Sequence, residues 1–117
     1  MDFTAGRRFD GPMISHTMIV SFDPSIPDAD LDQYLKDMES LMTGSGRIQE
    51  FAAQRHIRVP GDDHAPLFVA SAVVRFGLAD LDALNAAFST PGLEEFIQRW
   101  QSRYPYKVVW AHHEPLS

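Results

Sequence analysis

Residues 16–22, HTMIVSF, alternate with a period of two. His16, Met18, Val20 and Phe22 fall on one side and Thr17, Ile19 and Ser21 on the other, which predicts a strand. Asp23-Pro24-Ser25-Ile26-Pro27 stops it, because proline lacks an N–H and biases the residue before it away from helix. Over residues 28–42 the period becomes helical: Leu31, Leu35, Met38 and Met42, flanked by Tyr34 and Leu41, make one apolar stripe. Asp28 is placed to cap this helix, Asp30 and Asp32 suit the positive end of its dipole, and Gly44-Ser45-Gly46 ends it with residues that accept positive φ.

A second strand is predicted over 48–59, where Phe51, Ala53, Arg55, Ile57 and Val59 alternate with Ala52, Gln54, His56 and Arg58. Pro60-Gly61-Asp62-Asp63 is a turn, and the strand after it, LFVASAVVRF over 67–76, runs antiparallel to the one before. Both sides of 67–76 are largely apolar, so it reads as a central strand covered on both faces. A short helix over 80–88 carries Leu81, Leu84 and Phe88, with Asp80 as its cap. A longer helix over 91–103 is capped by Thr90, has Pro91 in its first position, and carries the stripe Leu93, Phe96, Ile97 and Trp100. Residues 106–114, YKVVWAHHE, form the last strand. The order βαββααβ describes an α+β, ferredoxin-like fold: a four-stranded antiparallel sheet with helices on one face, in a single domain over 13–117. Residues 1–12, broken by Gly6, Gly11 and Pro12, read as a flexible arm.

Two helical stripes cover only one side of such a sheet. The other keeps Ile19, Leu67, Val69, Val73 and Val109, with Arg75 among them, an apolar patch that a second copy of the chain can hide. The expected assembly is therefore a homodimer, with these six residues in its interface.

Composition narrows the function classes. The chain of 117 residues is 44% hydrophobic and carries 16 acidic against 10 basic residues, for a net charge of −6. That balance, with scattered basic residues, points away from nucleic acid. Without cysteine there is no disulfide, thiolate metal site or cysteine nucleophile. No apolar run approaches a membrane span, and no apolar segment follows Arg7-Arg8 as in a signal peptide, so a cytoplasmic protein is expected. His112 and His113 are adjacent on a strand and so point to opposite faces, which disfavours a shared metal ion; Asp62-Asp63-His64 reads as a solvated turn.

Four segments together resemble the stress-responsive dimeric α/β-barrel proteins: HTMIVSF at the start, the central VASAVVRF, the acidic-start helix ADLDALNAAF, and the TPGLEEF helix start before an aromatic-rich last strand. The resemblance spans residues 16–113. It implies two four-stranded sheets facing each other across a dimer. Its enzymatic relatives include small polyketide cyclases similar to olivetolic acid cyclase, which work without a cofactor. Those enzymes use a His at the start of the first strand, a Tyr on the short helix and a second His at the start of the last helix. His16 matches the first; the other two positions hold Ala87 and Leu93 here, the latter within Thr90-Pro91-Gly92-Leu93. Only one of the three chemical groups is present.

His16 is the candidate catalytic residue, since imidazole titrates near neutrality. A ligand pocket between sheet and helices is expected from Phe22, Tyr34, Met38, Phe68, Phe96 and Trp100, suited to a small apolar or aromatic molecule with neither metal nor cofactor. Arg55 and Arg75 are expected to point into the dimer interface or to an anionic ligand there. Two functions stand beside each other: a homodimeric small-molecule-binding protein, and an enzyme of the same shape (cyclase, isomerase or monooxygenase) using His16 as acid or base. A packed dimer without a cavity is the third.

Overall fold

The computed structural model describes residues 13–115, so the expected N-terminal arm lies outside the described residues. The element order is β1 (Ile14–Phe22), α1 (Asp28–Thr43), β2 (Ile48–Arg55), a 3-10 turn (Pro60–His64), β3 (Ala72–Leu78), α2 (Leu81–Ala87), α3 (Leu93–Arg103) and β4 (Tyr106–His113). The strands form one antiparallel sheet in the order β2-β3-β1-β4. This is the βαββααβ ferredoxin-like arrangement expected from the periodicities.

Alternation along β1 separates the two faces. Val20 and Phe22 lie in the core with Val74 and Phe76 of β3, under Leu31, Tyr34, Met38 and Met42 of α1 and Phe96 and Trp100 of α3. α1 and α3 turn most of their apolar stripes inward, whereas Ile97 of α3 and Leu81 and Phe88 of the short helix's stripe stay exposed; burial, not propensity, holds α1 and α3 in place. The helices are also tied to one another: the Tyr104 hydroxyl donates to Asp30, and Arg103 lies 3.4 Å from the same carboxylate.

Several boundaries differ from the periodicity. The central strand begins at Ala72 and runs to Leu78, whereas Leu67–Ala70 lie outside any strand. Serine hydroxyls cause the shift. Ser21 Oγ donates to the Val69 carbonyl at 2.7 Å and Ser71 Oγ accepts from the Phe22 amide at 2.8 Å, so side chains replace rungs of the backbone ladder. β2 ends at Arg55 because the His56 ring and the Val59 amide both turn to the Asp62 carboxylate, at 2.8 and 3.1 Å. Two expected caps are absent. Pro27 precedes α1 and Asp28 is its first residue, so Asp28 cannot cap it. α3 starts after Gly92, at φ 92°, and the Thr90 hydroxyl instead donates to the Ala87 carbonyl. At the end of α1 the positive φ occurs at Gly46, not at Gly44. Gly77 lets neighbours close in: a Cβ there would lie 2.7 Å from the terminal methyl of Met13 and 3.1 Å from Glu50, so those side chains would have to shift.

Candidate ligand cavity and the histidine beside it

A cavity of about 400 Å³ lies between the sheet and the helices. β1 contributes His16 and Met18, α1 contributes Tyr34, Met38 and Met42, and α3 contributes Leu93, Phe96, Ile97 and Gln101; Phe76, Phe88, Tyr106, Val108 and Trp110 complete the lining. None of these is an Asp, Glu, Lys or Arg. Phe88, Ile97 and Trp110 are the exposed members and form the mouth.

Three of the six expected pocket residues, Tyr34, Met38 and Phe96, line this cavity, together with His16. The other three do not. Trp100 is buried beneath Tyr34 as part of the packed core, with its indole N–H lacking a partner among the described residues. Phe22 packs against Tyr34 and Tyr106. Phe68 stands in the irregular segment before β3, with the Lys107 ammonium 5.7 Å from its ring centre. Phe22 and Phe68 belong to a separate, more polar cleft with Arg55, His56 and Asp62. Met18, Val108 and Trp110 were legible as even-numbered strand positions, but their meeting with Phe88 and Ile97 depends on the β1–β4 register.

Tyr34 and Tyr106 form the polar floor. Their rings are 5.4 Å apart. Burial, and then the neighbouring Tyr106, hold the Tyr34 hydroxyl well above the ordinary phenol range, so it stays protonated. Gln101 is locked: its side chain both donates to the Tyr106 carbonyl and accepts from the Tyr106 amide, which pins the start of β4 under α3.

His16 is 1% exposed, with its Nδ1 unpaired among the described residues. Phe76 stacks on it at 5.2 Å and Phe88 meets it edge-on at 5.1 Å. Burial, with smaller contributions from His112 and His113, lowers its pKa from 6.5 to about 4. At neutral pH it is therefore an uncharged imidazole, able to accept or to donate one hydrogen bond. His112, given no role by the sequence pattern, lies directly across from it: the two are register partners, their rings 5.0 Å apart.

No protein-family model matches this chain, and neither does any curated protein. Solved structures do. A dabb family protein with a ferredoxin-like fold from Mesorhizobium loti superposes with a TM-score of 0.69 at 17% identity, covering 91% of this chain and 99% of that one. This chain has the ferredoxin-like fold of that dabb protein. The hydroxynitrile lyase of Passiflora edulis matches with a TM-score of 0.71 at 12% identity, over 92% of this chain and 97% of the lyase. A dimeric ferredoxin-like protein of unknown function from Thermobifida fusca matches at 0.69 and 13%, over 94% and 97%. At these identities the similarity concerns the fold.

The residues expected at a dimer interface sit as follows. Val73, Ile19 and Val109 form one continuous row across β3, β1 and β4 on the sheet face opposite the helices, each 37–53% exposed. Arg75 is on the same face, 3.6 Å from Glu50. Leu67 and Val69 lie outside the strand; Leu67 is exposed, and Val69 is tied to Ser21. Arg55 is on the opposite face from Arg75, because it pairs with Ala72 and reaches Asp28 and Asp32 of α1 at 2.8 and 3.0 Å. The two arginines therefore do not converge on one anion. Among the described residues no three His, Cys, Asp or Glu side chains converge as a metal site, and no helix is long and apolar enough to cross a membrane.

Proposed function

We propose that the protein is a homodimer acting in the cytoplasm, each copy of which binds a small apolar or aromatic molecule in the cavity between its sheet and helices. The observation that carries the ligand is the cavity wall, which is aromatic and aliphatic with His16, Tyr34, Tyr106 and Gln101 as its polar members. A charged ligand would leave water there without a counterion, whereas an apolar one loses only unfavourable hydration. The row Val73–Ile19–Val109 supports the dimer. Burying such side chains contributes roughly 1.5–3 kcal/mol each before the costs of association. The Thermobifida fusca protein of the same fold, described as dimeric, supports it as well.

The test uses 1-naphthol as the probe and tryptophan emission as the signal, because Trp110 stands at the mouth. A saturable change in emission is expected, weakened by Met38→Phe, which fills the cavity. A strictly linear response up to the solubility limit of the probe would contradict the reading.

A second reading is favoured by His16 itself. A neutral imidazole in the wall of an apolar cavity can take a proton from a bound molecule, which supports a cofactor-independent enzyme, a cyclase, isomerase or monooxygenase, with His16 as acid or base. That a lyase has the same fold supports the compatibility of such a scaffold with catalysis. His16→Gln would then abolish turnover while leaving naphthol binding in place.

A further inference from the structure

We propose that the cavity has a fixed end and an adaptable end. Tyr34, Phe96 and Tyr106 receive the flat aromatic part of a ligand at the first, and Met18, Met38 and Met42 reshape the second around whatever that part carries. The site then takes a class of neutral aromatic molecules that differ in the bulk attached to the ring, and these six residues set its selectivity. This deepens the reading of the cavity given above and rests on it for the ligand; the freedom of the methionine side chains is a property of the free protein.

The chain has five methionines, and the three on β1 and α1 all line this one cavity. Tyr34, Met38 and Met42 stand four residues apart along α1, so they share one face of the helix, turn after turn. β1 is graded in the same direction: Phe22, packed on Tyr34, is the register partner of Tyr106, and Met18 is that of Trp110. The tyrosine floor therefore lies at one end, and the methionines follow toward Trp110 and the mouth.

The two ends differ in stiffness. Four rings clamp Tyr34: Phe22 at 5.0 Å, Phe96 and Tyr106 each at 5.4 Å, and Trp100 at 5.5 Å. Tyr106 is held further by Gln101, which engages both its amide and its carbonyl. An aromatic side chain has only two torsions, and moving any one of these rings disturbs its neighbours. Methionine is unbranched, with three rotatable bonds and a polarisable sulfur, so it changes shape at little cost and still fills the space. The lining holds no Asp, Glu, Lys or Arg, so no ion pair fixes one ligand against the others. Selection falls to shape: strict where the rings are clamped, tolerant where the methionines stand.

Two measurements test this. Spectra of the free protein labelled with 13C at the methionine methyls come first, because the carbon shift reports whether the terminal torsion is trans, gauche or averaged. Signals are assigned from single leucine variants. Averaged shifts are expected for Met18, Met38 and Met42; a single fixed rotamer at all three would overturn the proposal whether or not any ligand binds. The second compares 1-naphthol, 2-naphthol and 4-phenylphenol by tryptophan emission. In the wild type the three affinities should agree within about fivefold. Combining Met18→Leu, Met38→Leu and Met42→Leu keeps the volume and so the fold, but removes three torsions, and should widen the spread by about tenfold. Met38→Leu alone should widen it in the same direction, which keeps the test decisive if the triple variant does not fold. A spread unchanged in these variants would overturn the proposal. Averaged methyls in a protein that binds none of the three phenols would overturn the ligand reading and leave the adaptable end standing.

Discussion

The two faces of the sheet are made from the same strands, yet alternate residues meet opposite fates. On one face Val20, Val74 and Phe76 are sealed under the helices, and Phe76 lines the cavity. On the other, one residue away along each strand, Ile19, Val73 and Val109 stand in a row in contact with solvent. The contrast teaches that, among the described residues, the helices cover one face of the sheet, and the other face is the one on which the proposed dimer would close.

The largest difference between the faces should come from the same substitution made one residue apart. Val74→Asp places a carboxylate among fully buried side chains and should cost more than about 4 kcal/mol, enough to unfold a small domain. Val73→Asp should leave the monomer's stability within about 1 kcal/mol, but break the proposed dimer by setting like charges against each other across its two-fold axis. Urea denaturation followed by circular dichroism measures the first effect. Equal losses at both sites would mean that the chain itself covers both faces.

Next in size is a pair of tryptophans. Trp100 is 2% exposed and Trp110 is 56% exposed. Trp100→Ala should cost about 3–5 kcal/mol by opening a cavity, and Trp110→Ala less than about 1 kcal/mol while weakening the naphthol signal.

The smallest of the three is a pH effect carried by His16. The unfolded chain takes up its proton near pH 6.5, whereas the folded chain does so only near 4. Below 6.5 the unfolded state therefore binds more protons and stability falls as the pH drops. Above 6.5 this group has no effect, and below about 4 its penalty levels off. The loss across that window is about 3 kcal/mol at most. His16→Gln should flatten stability between the two values, as read from melting temperatures; an unchanged slope would show that His16 is not the group responsible.

How far the sequence reveals this arrangement depends on the kind of interaction. Strict alternation in HTMIVSF and the stripe through Leu31, Tyr34, Met38 and Met42 reflect one-dimensional periods, so the face of β1 and the inward side of α1 are readable directly. The start of β3 is not. Leu67–Ala70 are as apolar as a strand, but Ser21 and Ser71, 50 residues apart in the chain, divert the ladder through their hydroxyls. Capping fails for a similar reason: Thr90 satisfies the end of α2 where Gly92, at positive φ, begins α3. The cavity was half legible. Tyr34, Met38 and Phe96 follow from helical stripes, but Val108 and Trp110 join them only through the β1–β4 register and Phe88 from the end of α2, and the same register brings His112 to His16.

Sedimentation equilibrium of the wild-type chain at micromolar concentration tests the unfinished face most directly. A folded species of twice the 13.2 kDa of one chain is the predicted result. A folded, stable species of 13.2 kDa would contradict it, because the row Val73–Ile19–Val109 would then be left to water.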